Sequence, residues 1–343
     1  MNKEDNMNPI DISSPAATRR DVLRAAVAVA ASATVAGRAL AQESASAFPS
    51  RPVKMIVPLP PGGATDVIAR LLGQKLGELW HQSVIVDNKP GAGTIVGTQA
   101  IAKAPADGYT FGIVISAFTI NPSLRTDLPY DAVKDFTPLS LLGFPVIAMV
   151  AIPSFPAKDI AGLIAQARAK PGSVSYASLG IGTATHLAGE LMNVRAKTGM
   201  VHIPYNGSAP AYNDLLSGRV PVGFVLLDSA LPHVKAGKLK VLGLTNARRS
   251  RIYPDYPTIG ETIPDYSLES LFGFVAPRGL PAPIAAKLSG DIVKVIQMPE
   301  VRQRLAELSV EPVGSSAAEF EATIRTEITK WAPLVKAAGV KAE

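Results

Sequence analysis

Short apolar runs alternate along the chain with longer segments in which apolar residues recur every three to four positions. The run at 53–57, VKMIV, is followed by Ile68, Leu72 and Leu76, which share one face of a helix. This alternation of strand and helix is typical of a parallel sheet covered by helices on both faces. The pattern therefore predicts an α/β fold.

The same pattern gives element limits along most of the chain. Predicted strands lie at 53–57, 84–87, 110–115, 146–152, 175–177, 200–203, 220–226, 240–245 and 271–276. Predicted helices lie at 66–79, after Gly93, and at 157–169, 185–197, 208–216, 229–235, 283–298, 299–308 and 317–337.

Two turn-rich segments, 142–145 and 253–266, bracket the middle of the chain. We therefore predict one lobe from 48–145 plus 271–343 and a second lobe from 146–270. Two doubly wound α/β lobes joined by two crossing strands place their strand ends on a shared crevice.

The N-terminal segment is typical of an export signal. Arg19 and Arg20 precede an apolar run at 25–36, and Ala39-Leu40-Ala41 offers small residues for cleavage before Gln42. The paired arginines favour the twin-arginine route, and the run is too short to be a membrane anchor. We expect residues 1–41 to be removed and the protein to reach the periplasm, whether translation starts at Met1 or Met7.

Composition narrows the function classes. The chain has 34 Lys and Arg against 28 Asp and Glu, a net charge of +6, and no cysteine. The basic residues are spread along the chain, so we expect no nucleic-acid partner. Without cysteine there are no disulfides, thiolate metal sites or cysteine nucleophiles.

Four turns that follow predicted strands should face the crevice. They lie at 60–66, 116–122, 178–186 and 201–210 and are rich in Gly, Ser, Thr and Asn. The first joins a strand to a helix, so its bare amides and the helix dipole favour an anion. Asp66 would compete with an anion, so we expect it to orient the loop or contact a ligand ammonium or hydroxyl. An ordinary strand-to-helix turn is the alternative. Hydroxyls and amides without concentrated charge indicate a site that holds a carboxylate by hydrogen bonds.

Several short motifs in the same order carry a family resemblance. They include Pro61-Gly62-Gly63-Ala64-Thr65-Asp66, Asn88-Lys89-Pro90-Gly91-Ala92-Gly93, Asp107-Gly108-Tyr109-Thr110, His186-Leu187-Ala188-Gly189-Glu190 and Pro204-Tyr205-Asn206-Gly207-Ser208-Ala209-Pro210. With them the chain closely resembles the substrate-binding receptors of tripartite tricarboxylate transporters, the Bug family of bacterial periplasmic proteins. The resemblance implies a two-lobed, type II periplasmic-binding-protein-like fold that closes over a small carboxylate.

The resemblance also implies a partner of two integral membrane transporter subunits. It implies, too, that the ligand carboxylate is held largely by backbone amides, hydroxyls and bound waters from both lobes. A sensor for a signalling partner is the first alternative, and we expect a monomer without a cofactor. The predicted ligand-binding residues are Gly62, Gly63, Thr65, Asp66, Ser116, Thr119, Gly182, Thr183, Thr185, Tyr205 and Asp228.

Three positions depart from the family pattern. Relatives often carry Gly or Ser at the position of Ala64, Asn at that of Ile181 and Asp at that of Val225. Each departure removes or moves a polar group, so we expect a ligand that is less polar than citrate at its far end, such as an aromatic or aliphatic carboxylate.

Other chemistries have weaker patterns. The segment 91–97 is close to a dinucleotide-binding loop, but its glycine spacing is wrong and Pro90 interrupts the turn. His186 and Glu190 share a helix face without an evident third ligand, so we expect a structural hydrogen bond and no metal. An exported hydrolase is the enzyme alternative, although no G-x-S-x-G motif is present and an N-cap role accounts for Ser208. His202 precedes the Tyr205 loop, and we expect a structural role that includes orienting it.

Overall fold

Eleven strands form two sheets in the part of the chain that the computed structural model describes, residues 47–340. The predicted export signal and its cleavage position lie outside the described residues. The strands are β1 (Val53–Val57), β2 (Val84–Asn88), β3 (Thr110–Ile115), β4 (Phe136–Pro145), β5 (Ile147–Ala151), β6 (Ser175–Ser178), β7 (Val201–Pro204), β8 (Val222–Leu226), β9 (Lys240–Leu244), β10 (Phe272–Pro277) and β11 (Val310–Pro312).

Ten α-helices connect these strands within the same residues. They are α1 (Ala64–Trp80), α2 (Ile95–Ala102), α3 (Ala117–Leu124), α4 (Ile160–Ala169), α5 (Ala184–Ala196), α6 (Ser208–Leu216), α7 (Leu227–Lys235), α8 (Ala282–Ile296), α9 (Pro299–Glu307) and α10 (Ala317–Ala338). Short 3₁₀ turns lie at Ala92–Thr94 and Ile259–Glu261.

The first sheet has the order β11-β4-β10-β3-β1-β2 and the second has the order β7-β6-β8-β5-β9. Strands β1, β2 and β3 are parallel, as are β6, β7 and β8, whereas β10 and β5 run antiparallel to their neighbours. The sheets are therefore mixed, whereas the alternation of strands and helices predicted parallel ones. The antiparallel strands β5 and β10 are the ones at which the chain crosses from one sheet to the other.

The two crossings are short. Strand β4 ends at Pro145 and β5 of the other sheet begins at Ile147, while the return path leads through Leu268 to β10. The first crossing was predicted as a turn and is instead the end of a ten-residue strand. Pairing with β10 and β11 supplies the hydrogen bonds that hold its Pro- and Gly-containing sequence extended.

Helix α3 also corrects a prediction, because 116–122 was expected to be a loop. The helix runs to Leu124 and includes Pro122. Proline at this position lies in the second turn, where the missing amide costs one hydrogen bond and the ring disfavours the preceding helical turn. Burial of Phe118, Ile120 and Asn121 stabilises the helix despite that cost.

Helix α10 packs into the cores of both sheets. Its first half contributes Phe320 and Ile324 to an apolar cluster with Val275 of β10, and its second half contributes Trp331 and Val335 to a cluster with Phe224 of β8. The helix is thus a third connection between the two halves of the fold.

Within residues 47–340, every helix is too short or too polar to cross a membrane.

Candidate functional site

Four helix N-termini meet at one cavity of about 410 Å³. Helices α1 and α3 follow strands of the first sheet, and α5 and α6 follow strands of the second. The cavity is therefore at the carboxyl ends of parallel strands, where open α/β sheets bind ligands. Its lining includes residues at the start of each helix: Gly63, Ala64, Thr65 and Asp66 at α1, Ser116 and Ala117 at α3, Thr183, Ala184 and Thr185 at α5, and Gly207 and Ser208 at α6.

A larger and more open cavity of about 940 Å³ adjoins the first. The two share lining residues, among them Leu59, Ala117, Leu179 and Thr183. The larger cavity adds apolar residues such as Leu124 and Ile181, together with polar groups of Asn121, Arg125 and Tyr205. One ligand can therefore occupy both spaces.

The small cavity presents helix N-terminal amides, and its described lining residues include no cationic side chain. Helices α1, α3 and α6 have no side-chain cap on their first amides. Unpaired amides at a helix N-terminus, together with the helix dipole, bind anions. Among the described residues that line this cavity, Asp66 is the only one with a charged side chain. Within that described lining, peptide dipoles are therefore the source of positive potential.

The Asp66 carboxylate is fully engaged in the loop that contains it. It accepts hydrogen bonds from the Gly62 amide at 2.9 Å, from Arg70 Nε at 3.0 Å and from Asn88 Nδ2 at 3.0 Å. Burial alone would raise the pKa of Asp66, but the hydrogen bonds from Arg70, Gly62 and Asn88 outweigh it and lower the pKa. Asp66 is therefore an anion paired with Arg70, and it fixes the shape of the 60–66 loop.

Ser116 connects α3 to the second crossing. Its hydroxyl lies 2.9 Å from Ser270 Oγ and accepts a hydrogen bond from the Leu271 amide at 2.9 Å. Ser270 and Phe272, which the sequence-based site did not include, also line the small cavity. The only sequence signal for Ser270 is its place directly before an apolar strand.

The 178–186 loop is held by its own hydroxyls. Thr183 Oγ1 donates to the Gly180 carbonyl at 2.7 Å and lies 2.8 Å from Thr185 Oγ1, which accepts a hydrogen bond from the Leu179 amide at 3.0 Å. The Gly182 amide donates to His186 Nδ1 at 3.1 Å. These polar groups already have partners, so they define the loop that faces the cavities.

Three predicted site residues lie outside both cavity linings of the described chain. Gly62 is exposed in its turn, and the fully buried Thr119 donates its hydroxyl to the Ser116 carbonyl at 3.0 Å. Asp228 lies in the first turn of α7, where burial raises the pKa of its carboxyl. Tyr205 lines the larger cavity, and its hydroxyl donates to Asp214 Oδ2 at 2.8 Å.

The three departures from the family pattern have different surroundings. Ala64 lines the small cavity and Ile181 lines the larger one. Val225 is fully buried in the apolar core beside β8. Only Ala64 and Ile181 are therefore placed to affect a ligand directly.

Two mixed sheets joined by crossing strands, with helix N-termini on a shared cavity, define a periplasmic binding protein of the type II-like, two-lobed class. Residues 68–340 match the sequence profile of TctC, the tripartite tricarboxylate transporter family receptor. The chain belongs to this family.

Relatives with known names or structures agree with the family assignment. Protein BugT of Bordetella pertussis is 36% identical over 301 residues, which cover 87% of this chain and 92% of BugT. The structure of Rpa4515 from R. palustris with adipate is 32% identical, covers 86% of this chain and 99% of its own, and has a TM-score of 0.78. MatC from Rhodopseudomonas palustris with bound malate is 29% identical, covers 84% of this chain and 100% of its own, and has a TM-score of 0.73.

Proposed function

We propose that the protein is a periplasmic receptor that captures a small carboxylate between its lobes and presents it to a membrane transporter. The observation that carries the proposal is the meeting of four helix N-termini at one cavity that contains no cationic side chain among its described lining residues. Relatives bound to adipate and malate support the same ligand class. The lobe limits 48–145 with 271–343, and 146–270, remain a prediction.

In the proposed mode of binding, one carboxylate enters the small cavity and the rest of the ligand extends into the larger one. The first amides of α1, α3 and α6 donate to the carboxylate. Hydrogen bonds to a charged acceptor are stronger than those between neutral groups, so several amides are enough to hold it. A ligand that touches both lobes stabilises the closed form because it binds that form better.

The far end of the ligand lies against a surface that is mostly apolar. Leu124, Leu179 and Ile181 line the larger cavity, and Arg125 is the only charged residue in its described lining. We therefore propose an aromatic or aliphatic carboxylate that is less polar than citrate at its far end. A thermal-shift panel of adipate, malate, citrate and benzoate tests this ligand class. Stabilisation by citrate or malate without any by adipate or benzoate would contradict it.

A matched pair of variants at Ala117 tests the carboxylate site. Ala117 begins α3 and lines both cavities. The change Ala117→Asp places a negative charge beside the proposed carboxylate, whereas Ala117→Asn adds nearly the same volume without the charge. An acidic residue in the first turn favours the helix itself, so the Asp variant should remain folded.

We expect the Asp variant to bind the carboxylate at least tenfold more weakly than the Asn variant, a difference of about 1.4 kcal/mol. Isothermal titration with adipate measures this difference. Equal affinity of the two variants would show that the carboxylate is not at these helix N-termini.

We also propose that residues 1–41 are removed on export to the periplasm and that the monomeric receptor binds two integral membrane subunits. N-terminal sequencing of protein from the periplasmic fraction should begin at Gln42. A receptor, in contrast to an exported hydrolase, returns its ligand unchanged. Nuclear magnetic resonance (NMR) of the monoethyl ester of adipate, which carries a hydrolysable bond, should therefore show no free adipate after incubation with the protein.

A further inference from the structure

A stack of three aromatic rings lies beside the 178–186 loop. His186 of α5 and His202 of β7 stack with ring centroids 3.8 Å apart and planes 9° from parallel. Tyr176 of β6 also stacks against His202, with ring centroids 5.0 Å apart. His186 is only 5% exposed, and neither histidine lines the two cavities among the described residues. The stack can therefore act on a ligand only through the loop.

One ring nitrogen of each histidine contacts a residue of the 178–186 loop. The Gly182 amide donates to His186 Nδ1 at 3.1 Å, and Ser178 Oγ lies 2.6 Å from His202 Nε2. Ser178 is fully buried, and its hydroxyl is also within 3.3 Å of the Gly180 amide and carbonyl. The two contacts hold the start and the middle of the loop, and the loop continues directly into the N-terminus of α5.

The amide contact also sets the tautomer of His186. Because the Gly182 amide donates to Nδ1, Nδ1 must carry a lone pair, so the ring proton of His186 is on Nε2. That nitrogen faces Glu190 Oε1 at 3.9 Å, and the same oxygen accepts a hydrogen bond from the Tyr176 hydroxyl at 2.6 Å. Burial lowers the pKa of His186 to about 3, with His202 adding to the effect, and lowers the pKa of His202 to about 4. Both rings are neutral at neutral pH, as the contact of His186 with the Gly182 amide requires.

We propose that His186 and His202 are positioning residues for the carboxylate site, which hold the 178–186 loop through Gly182 and Ser178 so that the N-terminus of α5 faces the small cavity. The role in ligand binding rests on the proposed function. The role in ordering the loop is independent of the proposed function, and it can be measured in protein without ligand.

Isosteric substitutions separate this role from simple packing. Asparagine places an oxygen close to the position of histidine Nδ1, whereas the amide group of glutamine reaches the position of Nε2. His186→Asn and His202→Gln therefore keep the contact that each loop residue uses, and His186→Gln and His202→Asn misplace it. All four variants lose a ring from the stack, so thermal unfolding should report a similar loss of stability within each pair.

The primary measurement is hydrogen exchange by NMR at the Gly182 and Gly180 amides of the ligand-free protein. We expect at least tenfold faster Gly182 exchange in His186→Gln than in His186→Asn, and the same order for Gly180 in His202→Asn against His202→Gln. Equal exchange within each pair would overturn the proposal. Titration with adipate and malate should follow the same order of variants.

Two further results keep the outcomes distinct. If the wild-type protein binds neither adipate nor malate, the proposed ligand class is in doubt, while the exchange result still decides the role of the histidines. If the variants do not fold, ¹⁵N NMR of wild-type His186 decides instead. An unprotonated Nδ1 with a coupling to the Gly182 amide proton supports the proposal, and a protonated Nδ1 at pH 7 overturns it.

Discussion

Leu124 lies against Gly182 so closely that a Cβ added to the glycine would stand 2.5 Å from Leu124 Cδ1. Leu124 is the last residue of α3, which follows a strand of the first sheet. Gly182 is in the loop that leads from a strand of the second sheet into α5. Gly182 also has a φ of +73°, which residues with a side chain rarely adopt. This pair is thus a direct contact between the two sides of the larger cavity.

Substitution of Gly182 should disturb both the backbone and this contact. We expect Gly182→Ala to lower the free energy of unfolding by about 1–2 kcal/mol from the left-handed backbone alone, with a further loss from the contact with Leu124. In a Leu124→Ala background, which removes the contact, Gly182→Ala should cost only the first part. Thermal unfolding of the single and double variants measures both. Gly290→Ala, in the middle of α8 with open space around it, is the control and should be neutral or slightly stabilising. A Gly182→Ala variant as stable as that control would contradict the prediction.

Arg70 should protect the site from the charge of Asp66. Removing the guanidinium in Arg70→Met leaves the Asp66 carboxylate beside the small cavity without its cation, so an anionic ligand should bind roughly tenfold more weakly. Lys75→Met is the matched control, because it also removes a cation from α1. The ion-pair partners of Lys75 are Glu78 and Glu300. Titration with adipate should separate the two variants, and similar affinities would show that Asp66 does not affect the ligand.

The two threonines that shape the 178–186 loop should affect stability and binding together. The double change Thr183→Ala and Thr185→Ala removes the hydroxyl contacts to the Gly180 carbonyl and the Leu179 amide, so we expect a loss of roughly 1–3 kcal/mol in the free energy of unfolding. Carboxylate affinity should also fall, since α5 loses the cap at Thr183. The double change to serine keeps both hydroxyls and should stay close to wild type. Denaturant unfolding and titration measure the two effects, and an alanine variant as stable as the serine variant would refute the assignment.

The buried histidines predict a pH dependence of stability. Their pKa values are about 3 and about 4 in the folded protein, against 6.5 when exposed, so the unfolded chain binds more protons below pH 6.5. The free energy of unfolding should therefore fall between pH 8 and pH 5, by about 2 kcal/mol for each histidine. Glu190, Tyr176 and Tyr266 are the titratable neighbours of the stack, and the raised pKa of each tyrosine keeps it neutral in this range.

The double variant His186→Asn and His202→Gln removes both titrating rings and serves as the comparison. Its unfolding free energy should vary less with pH than that of the wild type. Equal pH slopes for the two proteins would show that other groups produce the effect.

Most of the fold could be predicted from periodicity because its helices and strands carry strong local patterns. The limits of β1, β3 and α6 match the prediction, and other limits differ by a few residues. The missed elements α3, β4 and β11 all contain proline, which argues locally against helix or central strand. Pairing with β10 stabilises β4, pairing with β4 stabilises β11, and packing against α10 stabilises α3. These contacts override the local preference and cannot be read from the segments themselves.

The site could be predicted as a set of loops but not as a set of contacts. Residues of the strand-to-helix turns at 60–66 and 178–186 line the small cavity, because such turns gather at the ends of parallel strands. Which groups remain available to a ligand depends on neighbours that are distant in sequence. The Gly182 amide, predicted to face the ligand, donates to His186, and His202 contacts Ser178 rather than Tyr205.

The uncapped helix N-termini have a consequence for selectivity. Peptide dipoles have no proton to gain or lose, so in the proposed mode of binding the attraction for a carboxylate does not change with pH in the way that a lysine or histidine site would. The ionisation state that matters is then that of the solute itself. In the proposed mode of binding, a carboxylate is distinguished from its protonated acid or its amide by groups that every sequence possesses.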